Sequence, residues 1–319
     1  MTWTTHVGVA LVQAGLLLLL GPLVTGVIQR LKARLQCRQG AGVLQPYRDL
    51  VKLFRKGTVQ SDTASPFFRA VPVLVLAAIF TAATLLPVFW VPGGEPGAAS
   101  LPLGDAILLL ALLSLARFLT AIGALDAGGA FGGMGASREM TVGLLVEPAL
   151  MLVVFSVAIA AGTTDLTELA ARRDSIATLA WRAPDLLALF AMLVILLAET
   201  GRIPVDNPDT HLELTMLHEG MLLEHSGPGL GCMVLANHTK QVVAIGLVAA
   251  LSFPLGLAKS AAPAELAFAL VVFCAKVLAL AVFLAAVESS YAKLRLFRVP
   301  QFLGMGFLCA FLALALRVL

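Results

Sequence analysis

The amino-acid sequence predicts an all-α, polytopic membrane protein with eight transmembrane helices and a cytoplasmic acidic loop between spans five and six. The 319-residue chain is 59% hydrophobic and only 13% charged, whereas about a quarter of the residues in soluble domains are charged. Apolar runs of about 20 residues recur along it, and a run of that length crosses a bilayer as a helix. Because lipid offers backbone groups no hydrogen-bond partner, the spans are expected to be helical.

The eight spans are expected to follow one another through the whole chain, so that residues 1–319 form a single membrane domain. The first apolar run has no basic segment before it and no clear cleavage site after it, so it is predicted to be a retained span rather than a signal peptide. The predicted spans are residues 7–28, 71–91, 103–125, 138–161, 184–198, 230–257, 264–287 and 301–316.

The connection after span one, residues 29–70, is long and basic, with nine Lys or Arg residues. Within it, residues 47–56 (YRDLVKLFRK) place apolar side chains near one face of a helix and bases on the other. This pattern predicts a short amphipathic helix at a membrane surface. A solvated basic loop is the alternative.

Lys and Arg residues in the loops predict the orientation, because cytoplasmic loops carry an excess of them. The loops after spans one, three, five and seven hold 14 of the 22 Lys and Arg residues, and the opposite side holds five. The basic first loop and the loop between spans five and six are therefore expected on the cytoplasmic side. Both chain termini are expected on the non-cytoplasmic side.

The loop at residues 199–227 is unusually dense in ionisable side chains. It contains three of the five histidines and has Arg202 as its only strong base. His218-Glu219 is followed by GMLLEH, so neither HExxH nor HxxEH occurs, and no recognised spacing supports a metal site. The loop is therefore predicted to be a coupling surface rather than a catalytic centre. Its acids are Glu199, Asp206, Asp209, Glu213, Glu219 and Glu224.

Charged residues also fall within or at the edge of predicted spans, where each costs about 2.5–3.5 kcal/mol on insertion scales. Glu139 and Glu147 are eight residues apart, about 80° around a helix, and can share a polar face. One interpretation is helix packing through buried ion pairs, for instance Glu147 with Lys240 or Arg117. The other is a proton or ion path, which the set favours because ion pairs are often replaceable by apolar residues. The residues are Arg117, Glu139, Glu147, Lys240 and Lys276, with Glu199 and Glu288 at the cytoplasmic ends of spans.

Two further features predict no cofactor chemistry in this chain. The four cysteines are far apart and form no CxxC pair, so they imply neither an iron–sulfur cluster nor a disulfide framework. The glycine-rich residues 126–135 lack the GxGxxG spacing and follow a predicted span, so they predict a tight connection rather than a dinucleotide site. The cysteines are Cys37, Cys232, Cys274 and Cys309.

The acidic loop and two other segments resemble NADH dehydrogenase subunit 1, a membrane subunit of respiratory complex I. ETGRIPVD at residues 199–206 is similar to the family's ETNRxPFD, and EHSG at residues 224–227 is similar to its EYSG. SRE at residues 137–139 resembles the family's SYE, and RLQCRQG at residues 34–40 resembles its ARMQxRxGP. The resemblance covers nearly the whole chain. It carries family positions over to Glu139, Glu199, Arg202, Pro204, Asp206, Glu213, Glu224 and Gly227.

Several departures from subunit 1 resemble a second branch, the membrane subunits of group-four nickel–iron hydrogenases of the formate hydrogenlyase subunit 4 and hydrogenase-4 component C type. They are NPDTHLELTM at residues 207–216, SREMT at residues 137–141 and Glu147-Pro. GAGVLQPYRDLVKLFRK in the first loop is similar to the same branch. Because complexes of that branch pass electrons to protons, the departures weaken the expectation of a quinone site.

This resemblance implies a membrane-anchor subunit with no redox centre or cofactor of its own. Its partners would be hydrogenase large and small subunits on the cytoplasmic face, which carry the nickel–iron centre and iron–sulfur clusters, and antiporter-like subunits in the inner membrane. No nucleic-acid partner is implied. The docking surface is expected at Arg34, Arg38 and Arg48. The residues expected to couple redox chemistry to proton or sodium translocation are Arg117, Glu139, Glu147, Glu199, Arg202, Asp206, Glu213, Glu219, Glu224 and Lys240.

Two other functions stay open on the residues alone. A quinone-site subunit of a complex I-type enzyme would use the same loop to line an apolar chamber with a few polar groups. A stand-alone secondary transporter would be indicated by internal repeats and broken spans, and the sequence has no clear repeat. The sequence specifies neither the electron donor nor the translocated ion.

Overall fold

The computed structural model describes residues 3–61, 64–90, 104–173, 182–206, 218–258, 262–294 and 298–319, with side chains from residue 7 onward except at 171–173. Over this part of the chain the backbone forms eleven α-helices. In chain order they are α1 (Trp3–Leu35), α2 (Gln45–Arg55), α3 (Pro66–Leu85), α4 (Ala106–Asp126), α5 (Ala130–Ala161), α6 (Leu166–Arg173), α7 (Ala183–Glu199), α8 (His218–Leu222), α9 (Gly227–Ser252), α10 (Pro263–Ser290) and α11 (Val299–Val318).

Seven helices of the described chain are long and apolar enough to cross a membrane, namely α1, α3, α4, α5, α9, α10 and α11. The predicted all-α membrane architecture is confirmed at this level. The remaining predicted span, span five at residues 184–198, coincides with α7, which has 17 residues. That is about 25 Å at 1.5 Å per residue, less than the roughly 30 Å of a hydrocarbon core. A membrane passage by α7 stays a prediction.

Several predicted span boundaries are wrong. α1 continues past residue 28 to Leu35 and takes up the first bases of the loop. α3 begins at Pro66 rather than residue 71, because the Ser65 hydroxyl accepts a hydrogen bond from the Phe67 amide (3.1 Å) and proline suits the first turn. α3 and α9 end at Leu85 and Ser252, before the predicted residues 91 and 257.

The glycine-rich residues 126–135 form a connection only as far as Gly129, so the prediction of a connection over the whole stretch is wrong. α5 begins at Ala130 and includes the remaining glycines. A Cβ at Gly132 would lie 2.8 Å from the carbonyl oxygen of Ala124, closer than a side chain allows. Glycine therefore lets the first turn of α5 fold back against the end of α4.

The short helices outside the spans differ in how well the sequence predicts them. α2 confirms the predicted amphipathic helix, although it begins at Gln45 rather than residue 47. α6 and α8 are helical where the sequence predicts loop. α8 places His218 and Glu219 on one short helix inside the acidic loop.

α9 is central to the bundle, since it packs against α1, α2, α3, α7 and α10. A second set of contacts centres on α5, which packs against α4, α7, α8 and α11. The chain of contacts from α4 through α5 and α7 to α9 brings together the helices that carry the buried charges. These charges meet at the end of the bundle from which the first loop and the acidic loop emerge.

Candidate functional site

Arg117 lies at the centre of a buried ion-pair network. Its side chain is only 4% exposed, and each of its three guanidinium nitrogens contacts a different carboxylate. Nε lies 3.2 Å from Glu139 Oε1, and Nη1 lies 2.5 Å from Glu147 Oε1. Nη2 donates to Glu199 Oε1. One side chain of α4 thus holds two turns of α5 and the last residue of α7.

Lys240 of α9 completes this network from the opposite side. Its Nζ lies 2.9 Å from Glu199 Oε2, so that Glu199 lies between two cations. Glu199 is buried, whereas the side chain of Glu147 is 39% exposed. When all five groups are ionised, three carboxylates face two cations, so the cluster can take up one proton and still pair both cations. We call these residues the Arg117 network: Arg117, Glu139, Glu147, Glu199 and Lys240.

A second buried network joins the acidic loop to α1, α9 and α10. Arg202 Nη1 lies 3.1 Å from Glu288 Oε1, and its Nη2 donates to Gln241 Oε1 at 3.2 Å. Glu288 is fully buried and its other oxygen lies 3.6 Å from Lys32 Nζ. Gln241 Oε1 also accepts a hydrogen bond from the Thr25 hydroxyl at 3.0 Å. We call this the Glu288 network, because a single carboxylate receives both of its cations.

Asp206 connects the first described segment of the acidic loop, which ends at residue 206, to Lys293 and to α8. Its Oδ1 pairs with Lys293 Nζ at 2.9 Å, and its Oδ2 accepts a hydrogen bond from the His218 amide at 3.4 Å. Burial lowers the pKa of His218, while the charges of Glu139 and Lys240 act on it in opposite directions. The imidazole is therefore neutral near pH 7. Its Nε2 has no hydrogen-bond partner among the described residues.

A cavity of about 430 Å³ touches both networks. Glu139, Glu199 and Lys240 line it from the Arg117 network, and Lys32 and Arg202 line it from the Glu288 network. Most of its other lining residues are also polar or charged. A cavity with this lining suits water and ions better than an apolar ligand.

A second, smaller cavity lies beside the first. It has a volume of about 30 Å³ and is lined by Arg117, Glu139 and Lys240 together with a mostly apolar wall. A space of that size has room for about one or two waters beside the charged groups. His218 lines both cavities, as do Glu139 and Lys240.

The structure brings most of the predicted coupling residues to these two networks, and it selects Arg117 over Lys240 as the partner of Glu147. Glu219 lines the same cavity. Glu224 is elsewhere: its Oε1 lies 2.2 Å from where a Cβ on Gly129 would be. Glu213 falls outside the described residues, as do Asp209 and His211.

Lys276 also lies apart from the other charges of the spans. Its Nζ donates a hydrogen bond of 2.5 Å to the carbonyl of Leu255, in the non-helical stretch after α9. A cation in this position satisfies a backbone group that has left a helix. Lys276 is therefore placed with the end of α9 rather than with the Arg117 network.

The bases predicted to form a docking surface lie on two elements. Arg34 and Arg38 are exposed at the end of α1 and in the turn after it, and Arg38 lines the rim of the large cavity. Arg48 is exposed on α2. Within the described residues, no three His, Cys, Asp or Glu side chains are grouped so that they could hold a metal ion.

Sequence reasoning misses three site residues: Lys32, Gln241 and Lys293. It notes Glu288 as an acid at the end of a span but does not assign it to the coupling residues. Gln241 follows Lys240 directly and could have been included with it. Lys32 and Lys293 lie in basic segments, where nothing in the sequence distinguishes them from their neighbours.

Comparison with known proteins gives the same family as the residue patterns. Hydrogenase-4 component C of Escherichia coli (strain K12) is 37% identical over 306 residues, which cover 95% of this chain and 93% of that protein. Formate hydrogenlyase subunit 4 of the same organism is 38% identical over 306 residues, covering 95% and 96%.

A solved structure has the same fold. One chain of the membrane-bound sulfane sulfur reductase, an archaeal respiratory membrane complex, matches with a TM-score of 0.77 at 21% identity and covers 97% of this chain and 98% of that chain. The family model described as NADH dehydrogenase matches residues 7–319. The predicted resemblance is confirmed, and this chain belongs to the NADH dehydrogenase family.

Proposed function

We propose that this chain is the membrane-anchor subunit of an energy-converting hydrogenase complex. It docks a hydrophilic nickel–iron and iron–sulfur module and couples the redox chemistry of that module to proton or sodium translocation. The two relatives from Escherichia coli support this class, since their names assign them to hydrogenase-4 and to formate hydrogenlyase. The cofactors belong to the partner subunits in this proposal.

One observation carries the coupling part of the proposal. Arg117 holds carboxylates from two other helices, Lys240 from a fourth helix shares one of them, and the whole set borders a polar cavity. Buried ion pairs are weak evidence of a purely stabilising role, because apolar replacements are often as stable. Ionisable residues inside membrane spans are instead typical of proton relays and ion pathways.

The charge imbalance of the Arg117 network suggests how coupling works. A proton that enters from the cavity neutralises one carboxylate, which frees Arg117 or Lys240 to move toward the remaining ones. A change of charge in a docked redox module shifts the same balance through the acidic loop. Arg202, Asp206, Glu219, Glu224 and Glu213 belong to this loop, and we assign them to its coupling surface.

The topology that we propose places this surface on the cytoplasmic side of the inner membrane. α7 is the fifth of eight spans, both termini lie on the non-cytoplasmic side, and the whole chain is one membrane domain. The excess of Lys and Arg in the first loop and in the loop after α10 supports this orientation. The soluble module docks near Arg34 and Arg38, which are exposed at the end of α1 and in the turn after it, and antiporter-like subunits lie alongside in the bilayer.

A quinone-site subunit of a complex I-type enzyme is the second candidate. The cavity volume of about 430 Å³ favours it, because small-molecule sites measure about 300–1,000 Å³. Its mostly polar lining argues against it, since such sites are lined predominantly by apolar and aromatic side chains. The hydrogenase assignment therefore ranks first.

Purification of the native assembly tests the assignment. The proposal predicts that a tagged chain, extracted in mild detergent, brings with it a hydrogenase large subunit and an iron–sulfur small subunit. Recovery of NADH-oxidising subunits with bound quinone would select the second candidate. A stable monomer that transports ions in vesicles would contradict both.

A further inference from the structure

We propose that the outward face of α2 binds anionic phospholipid headgroups through Arg48, Lys52 and Arg55. The partner is the bilayer itself. The proposal rests on the membrane location of the chain and is independent of the redox module. It also separates Arg48 from Arg34 and Arg38, with which the sequence groups it.

The first argument is the depth of α2 in the membrane. The Tyr47 hydroxyl donates to the carbonyl of Leu19 in the apolar part of α1. Leu19 lies ten residues before Gln29, about 15 Å below the start of the polar end of α1. A Cβ at Gly26 would lie 2.0 Å from the carbonyl oxygen of Val43, so the chain returns against α1 below its polar end just before α2 begins. α2 thus lies at the boundary of the apolar layer rather than above it.

The second argument is the arrangement of apolar residues around α2, at about 100° per residue. Pro46 and Leu50 are buried and define the sector that faces the protein. Phe54 and Val51 follow in the next sector and are 43% and 50% exposed. The Phe54 ring lies against α9, 3.3 Å from where a Cβ on Gly231 would be. The apolar surface left for acyl chains is therefore Val51 and the outer edge of Phe54.

The third argument is the position of the bases. Arg55, Arg48 and Lys52 occupy the sector directly after Val51, at about 280°, 300° and 340° from Gln45. Gln45 and Asp49 come next and share a hydrogen bond of 2.9 Å on the exposed side. The order around the helix is therefore protein, apolar contact, positive charge and a polar sector with the single acid Asp49.

This order matches the layers of a lipid leaflet, in which phosphate lies between the acyl chains and water. The three bases are exposed, and within the described part of the chain none of them forms an ion pair. Each base near an anionic membrane surface raises the affinity by about fivefold. Together they supply the charge, and the exposed apolar sector supplies the depth, that an interfacial helix needs.

Lipid retention tests the proposal on the purified complex. The complex is washed in detergent that contains equal amounts of phosphatidylglycerol and phosphatidylcholine, and the retained lipids are counted by mass spectrometry. Wild type is expected to retain phosphatidylglycerol preferentially, and less of it at high salt. R48Q/K52Q/R55Q is expected to retain at least fivefold less phosphatidylglycerol, with phosphatidylcholine unchanged.

Two control variants sharpen the result. R34Q/R38Q removes exposed bases outside α2 and is expected to keep the lipid within twofold, whereas R48K/R55K keeps the charge and is expected to bind as wild type does. If the triple variant fails to assemble, the single change K52Q is expected to lower retention by a few fold. Unchanged phosphatidylglycerol in R48Q/K52Q/R55Q or in K52Q would overturn the proposal. Loss of the soluble subunits from R48Q/K52Q/R55Q with its lipid retention intact would overturn it as well.

Discussion

Glu199 of α7 receives a cation on each of its carboxylate oxygens: Arg117 Nη2 donates to Oε1, and Lys240 Nζ lies 2.9 Å from Oε2. The two cations come from α4 and α9, on opposite sides of α7 in the chain of helix contacts. Neutralising this one carboxylate weakens both pairs at once. Loss of charge at Glu199 would therefore affect the contacts among three helices.

Replacing Arg117 with methionine is expected to destabilise the protein strongly. Three carboxylates would lose their shared cation inside the bundle, and removing one partner of a buried ion pair costs about 3–5 kcal/mol. The midpoint of thermal unfolding of the purified complex should fall by several degrees. Arg30→Met is the matched control, because Arg30 is exposed on α1; an equal loss in both variants would contradict the buried network.

Replacing Glu288 with glutamine is expected to loosen the start of the acidic loop. Arg202 would lose its carboxylate partner, and the turn in which the Val205 and Asp206 amides donate to the Arg202 carbonyl would open more often. Hydrogen exchange at these two amides should accelerate at least tenfold. Glu265→Gln, at the exposed far end of α10, should leave their exchange rates unchanged.

Acid is expected to weaken the contact between α3 and the acidic loop through His225. Its ring stacks on Phe68 with centroids 4.2 Å apart, and burial lowers the pKa of His225 to about 4. The unfolded chain binds a proton near pH 6.5 and the folded chain only near pH 4. Stability from this group is therefore complete above about pH 6.5 and is lost as the pH falls toward 4.

The measurement is the unfolding midpoint at several pH values between 7 and 4. His225→Phe keeps the stacked ring and removes the titration, so the midpoint should fall less steeply with acid than in wild type. Some slope should persist, because burial lowers the pKa of His218 in the same direction. Equal slopes in the variant and in wild type would show that His225 does not titrate with unfolding.

The sequence predicts the charged residues of the site well and their partners poorly. Arg117, Glu139, Glu147 and Lys240 stand out because a charge within an apolar run has few explanations. Which charges pair depends on helix packing, so the choice of Arg117 for Glu147 needed the structure. Lys32 contacts Glu288 across the length of the chain, and no local pattern indicates that contact.

The helix boundaries, too, depend partly on local signals and partly on tertiary contacts. The start of α3 depends on the Ser65 cap and on Pro66, both local signals that a hydropathy reading overlooks. The start of α5 depends on the approach of Gly132 to Ala124, which is a tertiary contact. The glycine-rich sequence alone is therefore compatible with either a loop or a helix, and the contact with α4 decides between them.

The most direct test of the central claim is ion translocation per catalytic turnover in liposomes that contain the purified complex. Hydrogenase turnover with an artificial electron donor is measured together with proton or sodium uptake, for wild type, Glu199→Gln and Glu139→Gln, with Glu265→Gln as a control. Both network variants are predicted to keep turnover with the artificial donor and to lose at least tenfold in ions moved per turnover. Wild-type coupling in both variants would contradict the account.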